Sequence, residues 1–376
     1  MLGHVGFVDD DVPALRARSA EVDDHIPGFE DVLGSEQAGE GGPAAALHAV
    51  DVLGNGHRGR GYCDAVPLPP DLRDLAARVS NRGRWGPDDE RGTLNLITAA
   101  AVQRGIAAAR HGRAFSLAIP FDASGPQWDT VNMPERINPE LRTHTVNHSF
   151  TGNPADFTAN DDSFRMGTQA ATHWDSLAHA GYDGELYNGI PNDVVRADTG
   201  ATRLGIEHFG PVVTRGILVD IARHHGVDWF EEPYPITADD LDAIVGAAGV
   251  TVESGDALLV RTGQMAHLRA GDKQRFSFPS PGLSVDTIEW IAEHDVAAVA
   301  TDTITFEAYP GADPGCFMPV HMIHLRDMGL AQGQNWDLDA LAADCAADGV
   351  ITCLLVATPL PLTGAVGGPV APTAVK

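Results

Sequence analysis

RGILVDIAR, residues 215–223, decides how the rest of the chain is read. Its apolar residues run together without polar alternation, the pattern of a strand buried on both faces of a parallel sheet. TADDLDAIVGAAG follows at 237–249. Thr237 is placed to cap a helix, Asp239 and Asp240 fall in the first turn, where the helix dipole favours carboxylates, and Gly246 or Gly249 can end it. DALLVRTG (256–263) is a second buried strand, SVDTIEWIAEHD (284–295) a helix opened by Ser284, and VAAVATDT (296–303) a third strand. DLDALAADCAADG (337–349) and VITCLLVATPL (350–360) continue the alternation as a helix and a fourth strand. The fold class is therefore α/β, with a strand-rich first half ahead of an alternating second half in one domain, residues 66–376.

Working outward, DLRDLAARVS (71–80) and TAAAVQRGIAAAR (98–110) have helical spacing, the second stopping at His111-Gly112, and RAFSLAIPF (113–121) reads as a strand. Residues 122–165 are rich in Pro, Asn, Asp and Thr and read as a long loop region over a site. Residues 1–65 contain stretches such as GSEQAGEGGP and no sustained apolar period, so they read as a poorly ordered acidic extension.

Composition closes off several classes. With 43% hydrophobic and 20% charged residues most of the chain can bury a core. No apolar run reaches the roughly 18 residues of a membrane span, so no membrane association is expected. MLGHVGFVDDDVP lacks the basic and apolar regions of a secretory signal. Cys63, Cys316, Cys345 and Cys353 form neither a disulfide framework nor a CxxC pair, and a cytoplasmic setting is expected. Twenty-five basic residues against 52 acidic ones give a net charge of −27, with no basic stripe to meet nucleic-acid phosphates. There is no phosphate loop of the GxxxxGK[ST] or GxGxxG type and no GxSxG nucleophile elbow. A small-molecule substrate is the remaining partner.

The chemistry concentrates in RMGTQAATHWDSLAHAGYDGELYNG, residues 165–189. Imidazole and carboxylate are the donors a divalent transition metal accepts. In an extended segment Gln169, His173 and Asp175 point to one face; if a helix then begins, Asp175 and His179 lie one turn apart. Four residues of flat strand span about 13 Å, so Gln169 and His173 share an ion only if the backbone bends between them. Two histidines and an aspartate at these spacings favour a metal site over ordinary polar residues beside a buried Trp174.

THWDSLAH with the preceding Gln169 resembles the HxxxHxDxxxH signature of the metal-dependent cyclase family, which includes kynurenine formamidase and isatin hydrolase. GRWGPDDERGTLNLIT (83–98), PGLSVDTIEWIAEHDVAAVATDT (281–303), PVHMIHLRDMGLAQGQNWDLDAL (319–341) and VATPLPLTGAVGGPVAP (356–372) are similar to family blocks in family order. The resemblance covers about residues 80–372 and implies the cyclase-like swivelling β/β/α fold. It implies Gln169, His173 and Asp175 as holders of one divalent ion, Mn or Zn, with His179 as the base that activates water. His321 and Gln334 would bind the substrate carbonyl or oxyanion, and the assembly would be a homodimer or homotetramer. Two positions depart from the family pattern: Gln169 stands at a ligand histidine and Gln334 at an acidic residue. A neutral amide is the weaker donor, which argues for one ion rather than two and against formamidase activity itself. The expected function is hydrolysis of an amide or ester bond (lactam, lactone, N-formyl or N-acyl) in a small molecule. The alternative is a degenerate member that binds without turnover.

Asp220, Arg261, Asp302 and Glu307, at strand ends, are candidates for orienting a ligand or for plain ion pairing. Trp85, Trp128, Trp174 and Phe150 are candidates for an apolar substrate wall or for core. His324, one turn past His321, reads as packing or surface.

Overall fold

Val213–Asp220, Ala257–Arg261, Ala298–Thr301 and Ala331–Gln334 run parallel, side by side, at the centre of a nine-stranded sheet. Alternation divides their side chains between two cores. Leu218, Leu259, Ala298 and Ala300 enter one; Ile217, Val219, Leu258, Val260 and Val299 enter the other. Both faces are covered, so no polar alternation survives in the sequence. The computed structural model describes residues 68–128, 136–311 and 316–376. The extension expected at 1–65 lies outside the described residues.

Antiparallel strands extend the sheet on both sides. Thr352–Val356 pairs with Val213–Asp220, and Thr373–Val375 and Ala114–Ser116 complete that edge. On the far side His173–Asp175 pairs with Ala331–Gln334, and Gly367–Pro369 forms the last strand. The expected fourth strand is thus in the sheet, but antiparallel to its neighbour.

Local rules place most helices as expected. Thr237 and Asp240 close a reciprocal capping box over Ala238–Ala247. Pro70–Val79 buries Leu72, Leu75, Ala76 and Val79, and Thr98 caps Ala99–Ala108. Asp339–Asp348 ends at Gly349, whose φ of 72° a side chain would strain. One cap differs: Thr287–Glu293 starts at Asp286, while the Ser284 hydroxyl donates to the Ile236 carbonyl. Among the described residues, no helix is long and apolar enough to cross a membrane.

The reading of 122–165 as loop is corrected by a two-stranded antiparallel hairpin, Glu140–Ser149 with Thr158–Arg165. Nearly every position in it is exposed, on both faces. A strand with neither face buried has no apolar alternation to reveal it.

Candidate metal centre

Three residues, His173-Trp174-Asp175, form a strand wedged between Ala331–Gln334 and Gly367–Pro369. Register sets Gln334 opposite His173 and Gln332 opposite Asp175. The period of two therefore gathers His173, Asp175, Gln332 and Gln334 on one face and sends Trp174 and Gly333 to the other. On that other face the Trp174 indole packs edge-on against Trp336 at 4.9 Å and donates to the Ala357 carbonyl at 2.7 Å. A Cβ on Gly333 would come within 3.0 Å of both indoles, so glycine is required there.

Turns, rather than regular elements, bring in the flanking groups. Ala170 N donates to Gly167 O at 2.9 Å, and this turn supplies the bend that the distance between Gln169 and His173 demands. After Asp175 no helix begins, contrary to expectation. The Ser176 hydroxyl accepts from Ala178 N, and Ser176 O accepts from His179 N at 3.0 Å, a local turn that competes with helix. His179 still reaches the site, its Nε2 3.8 Å from Asp175 Oδ1.

Asp175 is the hub. Gln169 Nε2 donates to Oδ1 at 3.1 Å, and Gln334 and Gln332 donate to Oδ2 at 2.9 and 3.3 Å. Burial pushes its carboxyl upward, but His179, His173 and His321 outweigh that and hold it well below the usual carboxylate range. Burial in turn lowers His179, only partly opposed by Asp175. The carboxylate is thus an anion at neutral pH beside a His179 imidazole that burial holds toward its neutral form.

His173 carries the clearest sign of a ligand. Its Nδ1 lies 2.7 Å from Ala171 O, to which it donates, so the lone pair is on Nε2. That Nε2 is buried, has no hydrogen-bond partner, and stands 3.5 Å from Asp175 Oδ1. Metal-binding histidines are typically oriented this way, the other ring nitrogen donating to a carbonyl or carboxylate. Bonds of about 2.0–2.1 Å in a tetrahedral site separate the donors by about 3.3 Å, close to the spacings around Asp175 Oδ1. The residues fit a divalent ion. Gln169 Nε2 also lies 2.7 Å from His179 Nδ1. Its amide nitrogen faces the cluster, and ligation through oxygen requires the amide to turn over.

The late cluster arrives on the same face. The Glu307 carboxylate accepts from Val320 N and His321 N at the start of the Pro319–Met322 helix, and from His321 Nδ1 at 2.7 Å. His321 Nε2 lies 3.1 Å from Gln334 Nε2. A continuous chain of contacts, Glu307–His321–Gln334–Asp175, ties this late cluster to the His173–Asp175 strand. Of the two readings of His324 the structure shows packing: it is fully buried, edge-on to Phe306 at 5.7 Å, with neither ring nitrogen partnered, and burial pushes its pKa down to about 3.

All six residues expected at the site, Gln169, His173, Asp175, His179, His321 and Gln334, are brought together. Of the strand-end acids only Glu307 joins them. Asp220 pairs with Arg261 at 2.8 Å, and Asp302 accepts from Thr262 N, Thr262 Oγ1 and Gly263 N. Trp174 points away, Phe150 lies exposed on the hairpin, the Arg84 guanidinium sits over Trp85, and Trp128 donates to Ser277 Oγ. Sequence reasoning missed Gln332, although its alternation with Gln334 was visible, and Arg136, half-buried within electrostatic reach of Asp175. In another group of donors, exposed His224 and His225 and buried Asp240 offer ligand atoms within 4.8 Å of one another. There Asp240 already caps a helix and accepts from His225 and Tyr234, so hydrogen bonding accounts for it.

The Cyclase family model matches residues 115–308. A crystal structure described as a novel cyclase is 36% identical, covering 80% of this chain and 99% of its own, with a TM-score of 0.72. Isatin hydrolase A from Ralstonia solanacearum is similar in fold at 20% identity, 73% and 95% coverage and a TM-score of 0.51. An isatin hydrolase bound to the product analogue thioisatinate gives 19%, 74%, 98% and 0.52. No curated protein matches the sequence.

Proposed function

This chain belongs to the cyclase family, and from that membership and the geometry of the site we propose a metal-dependent hydrolase of small-molecule amides or esters, lactams and lactones included. The observation that carries it is His173, with Nδ1 committed to Ala171 O and Nε2 buried and unpartnered beside an ionised Asp175. His173 Nε2, Asp175 Oδ1 and Gln169 would hold one Mn²⁺ or Zn²⁺. Such an ion polarises a carbonyl and makes water more acidic.

The rest is the work of the chain's own side chains. His179 takes the proton of the attacking water and returns it to the leaving nitrogen or oxygen. Its Nε2 becomes the acceptor when Gln169 turns its amide oxygen toward Nδ1, the same rotation that ligation needs. Gln334 turns an amide N–H from His321 Nε2 to the substrate oxygen as charge develops on it, and His321, its Nδ1–H committed to Glu307, accepts through Nε2 from a substrate N–H or O–H. Glu307 fixes the His321 ring and its tautomer. The buried walls exclude water from these contacts and strengthen them. A setting in the cytoplasm is proposed with it.

Protein purified without chelator should carry near-stoichiometric Mn or Zn and hydrolyse members of a panel of N-formyl anilines, cyclic imides, isatin-like lactams and lactones. Protein without metal, inactive on the whole panel with either ion added, would overturn the proposal. A non-catalytic binder is favoured by one feature: three glutamine amides satisfy both oxygens of Asp175 without any ion.

A further inference from the structure

Arg136 is half-buried beside the candidate site, and among the described residues it makes no hydrogen bond and no ion pair. Every other half-buried arginine among them donates to a carboxylate or a backbone carbonyl, as Arg215 does to Asp256, Arg261 to Asp220 and Arg326 to Asp327. A charged group drawn out of water is costly unless a partner meets it. Burial accordingly draws the Arg136 pKa below its ordinary value, and Asp175 opposes only part of that. A perturbed charge of this kind in a site marks a place where the partner comes from outside the chain.

The fold fastens this residue to the turn that presents Gln169. Ile137 O accepts from Gly167 N at 3.0 Å. Gln127 N donates to Asn138 Oδ1 at 2.9 Å and Asn138 Nδ2 donates back to Gln127 O at 2.8 Å, while Gln127 Nε2 donates to Ala170 O at 3.0 Å. Residues 136–138 are thus tied to both ends of the Gly167–Ala170 turn. A Cβ on Gly167 would meet Arg136 Cγ at 3.1 Å and Cα at 3.2 Å, so glycine there leaves room for the arginine stem. The charged end acts on the site without bonding to it. Its charge bears on both Asp175 and His179, yet the Asp175 oxygens already accept from Gln169, Gln332 and Gln334. Pairing with Asp175 is therefore not what holds it there.

We propose that Arg136 receives a carboxylate of the substrate, so that the preferred substrates are amides or esters carrying a carboxylate near the bond that is cleaved. The guanidinium fork matches a carboxylate with two parallel N–H bonds, which fixes orientation as well as charge. A divalent ion at His173 and Asp175 would set a second positive charge beside Arg136, and a substrate anion relieves that repulsion. The chain's net charge of −27 repels anions at long range, so selection for one has to come from a local cation such as this. The substrate class rests on the hydrolase reading; the anion site itself does not.

Wild type, Arg136→Met and Arg136→Lys are compared on substrates in pairs, with and without a carboxylate: N-formylanthranilate against N-formylaniline, and a lactone carboxylate against its primary amide. The wild type should prefer the charged member. Arg136→Met keeps the apolar stem and should lower that preference, the ratio of the two kcat/KM values, by about 10–100-fold, while Arg136→Lys, which keeps charge but not the fork, should restore only part of it. A second measurement needs no turnover. Calorimetric titration of the metal-free proteins, where a carboxylate has no ion to ligate, should show benzoate held more tightly than benzamide by wild type and not by Arg136→Met. A ratio unchanged in Arg136→Met, with both substrates slowed alike, would overturn the proposal and leave Arg136 as a general electrostatic influence on Asp175. So would equal retention of benzoate and benzamide by wild type, or tighter retention of inorganic phosphate than of benzoate. A protein inactive on every pair that still holds benzoate through Arg136 would remove the hydrolase reading and the substrate class with it, and keep the anion site.

Discussion

The two faces of the His173–Asp175 strand share a backbone and almost nothing else. One face is dry and closed: Trp174 fills it against Trp336, and its indole N–H is bonded to a carbonyl. The other holds His173, Asp175, Gln332 and Gln334, a set of polar groups in which the Nε2 of His173 has no protein partner. A fold with freedom to fill that face would have placed apolar residues there, because an unpartnered buried polar atom costs about 1–3 kcal/mol. The difference separates stability, carried by Trp174, from chemistry, carried by its two neighbours. Substitutions should respect that separation.

The largest effect is expected at His173. His173→Ala should cut bound metal to below about a tenth of wild type, since imidazole is the strongest donor in the set, while thermal unfolding of the metal-free proteins changes little. Plasma emission on both proteins decides it: retained metal would remove His173 from the ligand set. His179→Ala comes next, with kcat down by about 10²–10⁴-fold at unchanged metal content. A halved metal content would instead make His179 a ligand to a second ion, and an active variant would leave His321 as the base.

On the dry face, Trp174→Ala should lower unfolding free energy by about 3–5 kcal/mol through the cavity it opens. The same loss of stability from His173→Ala would erase the distinction between the faces. Glu307→Gln keeps the volume and removes the charge that aligns His321. It should lower activity by about 10–100-fold with metal retained. A wild-type pH profile and rate in that variant would show that Glu307 only caps its helix.

The smallest effect concerns His324, a buried imidazole with no partner. Its folded pKa of about 3 lies below the ordinary value of 6.5, so the folded state disfavours its protonation. The stability this contributes is present above about pH 6.5 and is lost as pH falls from there toward 3. Between pH 6.5 and 5.5 the wild type should lose about 1 kcal/mol more than His324→Leu in urea unfolding. Parallel pH profiles for the two proteins would mean that His324 finds a partner when folded.

Much of this was legible in the sequence because the relevant rules are local. Runs such as GILV and ALLV announce strands buried on both faces, Thr237 with Asp240 announces a helix start, and the alternation of His173 and Asp175 puts both on one face of a strand. The sequence could also state that Gln169 requires a bent backbone, because reach is arithmetic. It could not show the hairpin, whose residues face solvent on both sides and so carry no period. Nor could it sort Glu307 from Asp220 and Asp302, which look alike as acids after strands. Only the packed sheet did that, by carrying Glu307 to within 2.7 Å of His321 while Asp220 met Arg261. Strand register likewise made Gln332 and Gln334 neighbours of Asp175, across more than 150 residues of chain. Periodicity and caps are properties of consecutive residues, so sequence alone determines them. Which distant side chain completes a carboxylate or an imidazole depends on strand order and register, and those are settled only when the whole sheet closes its two cores.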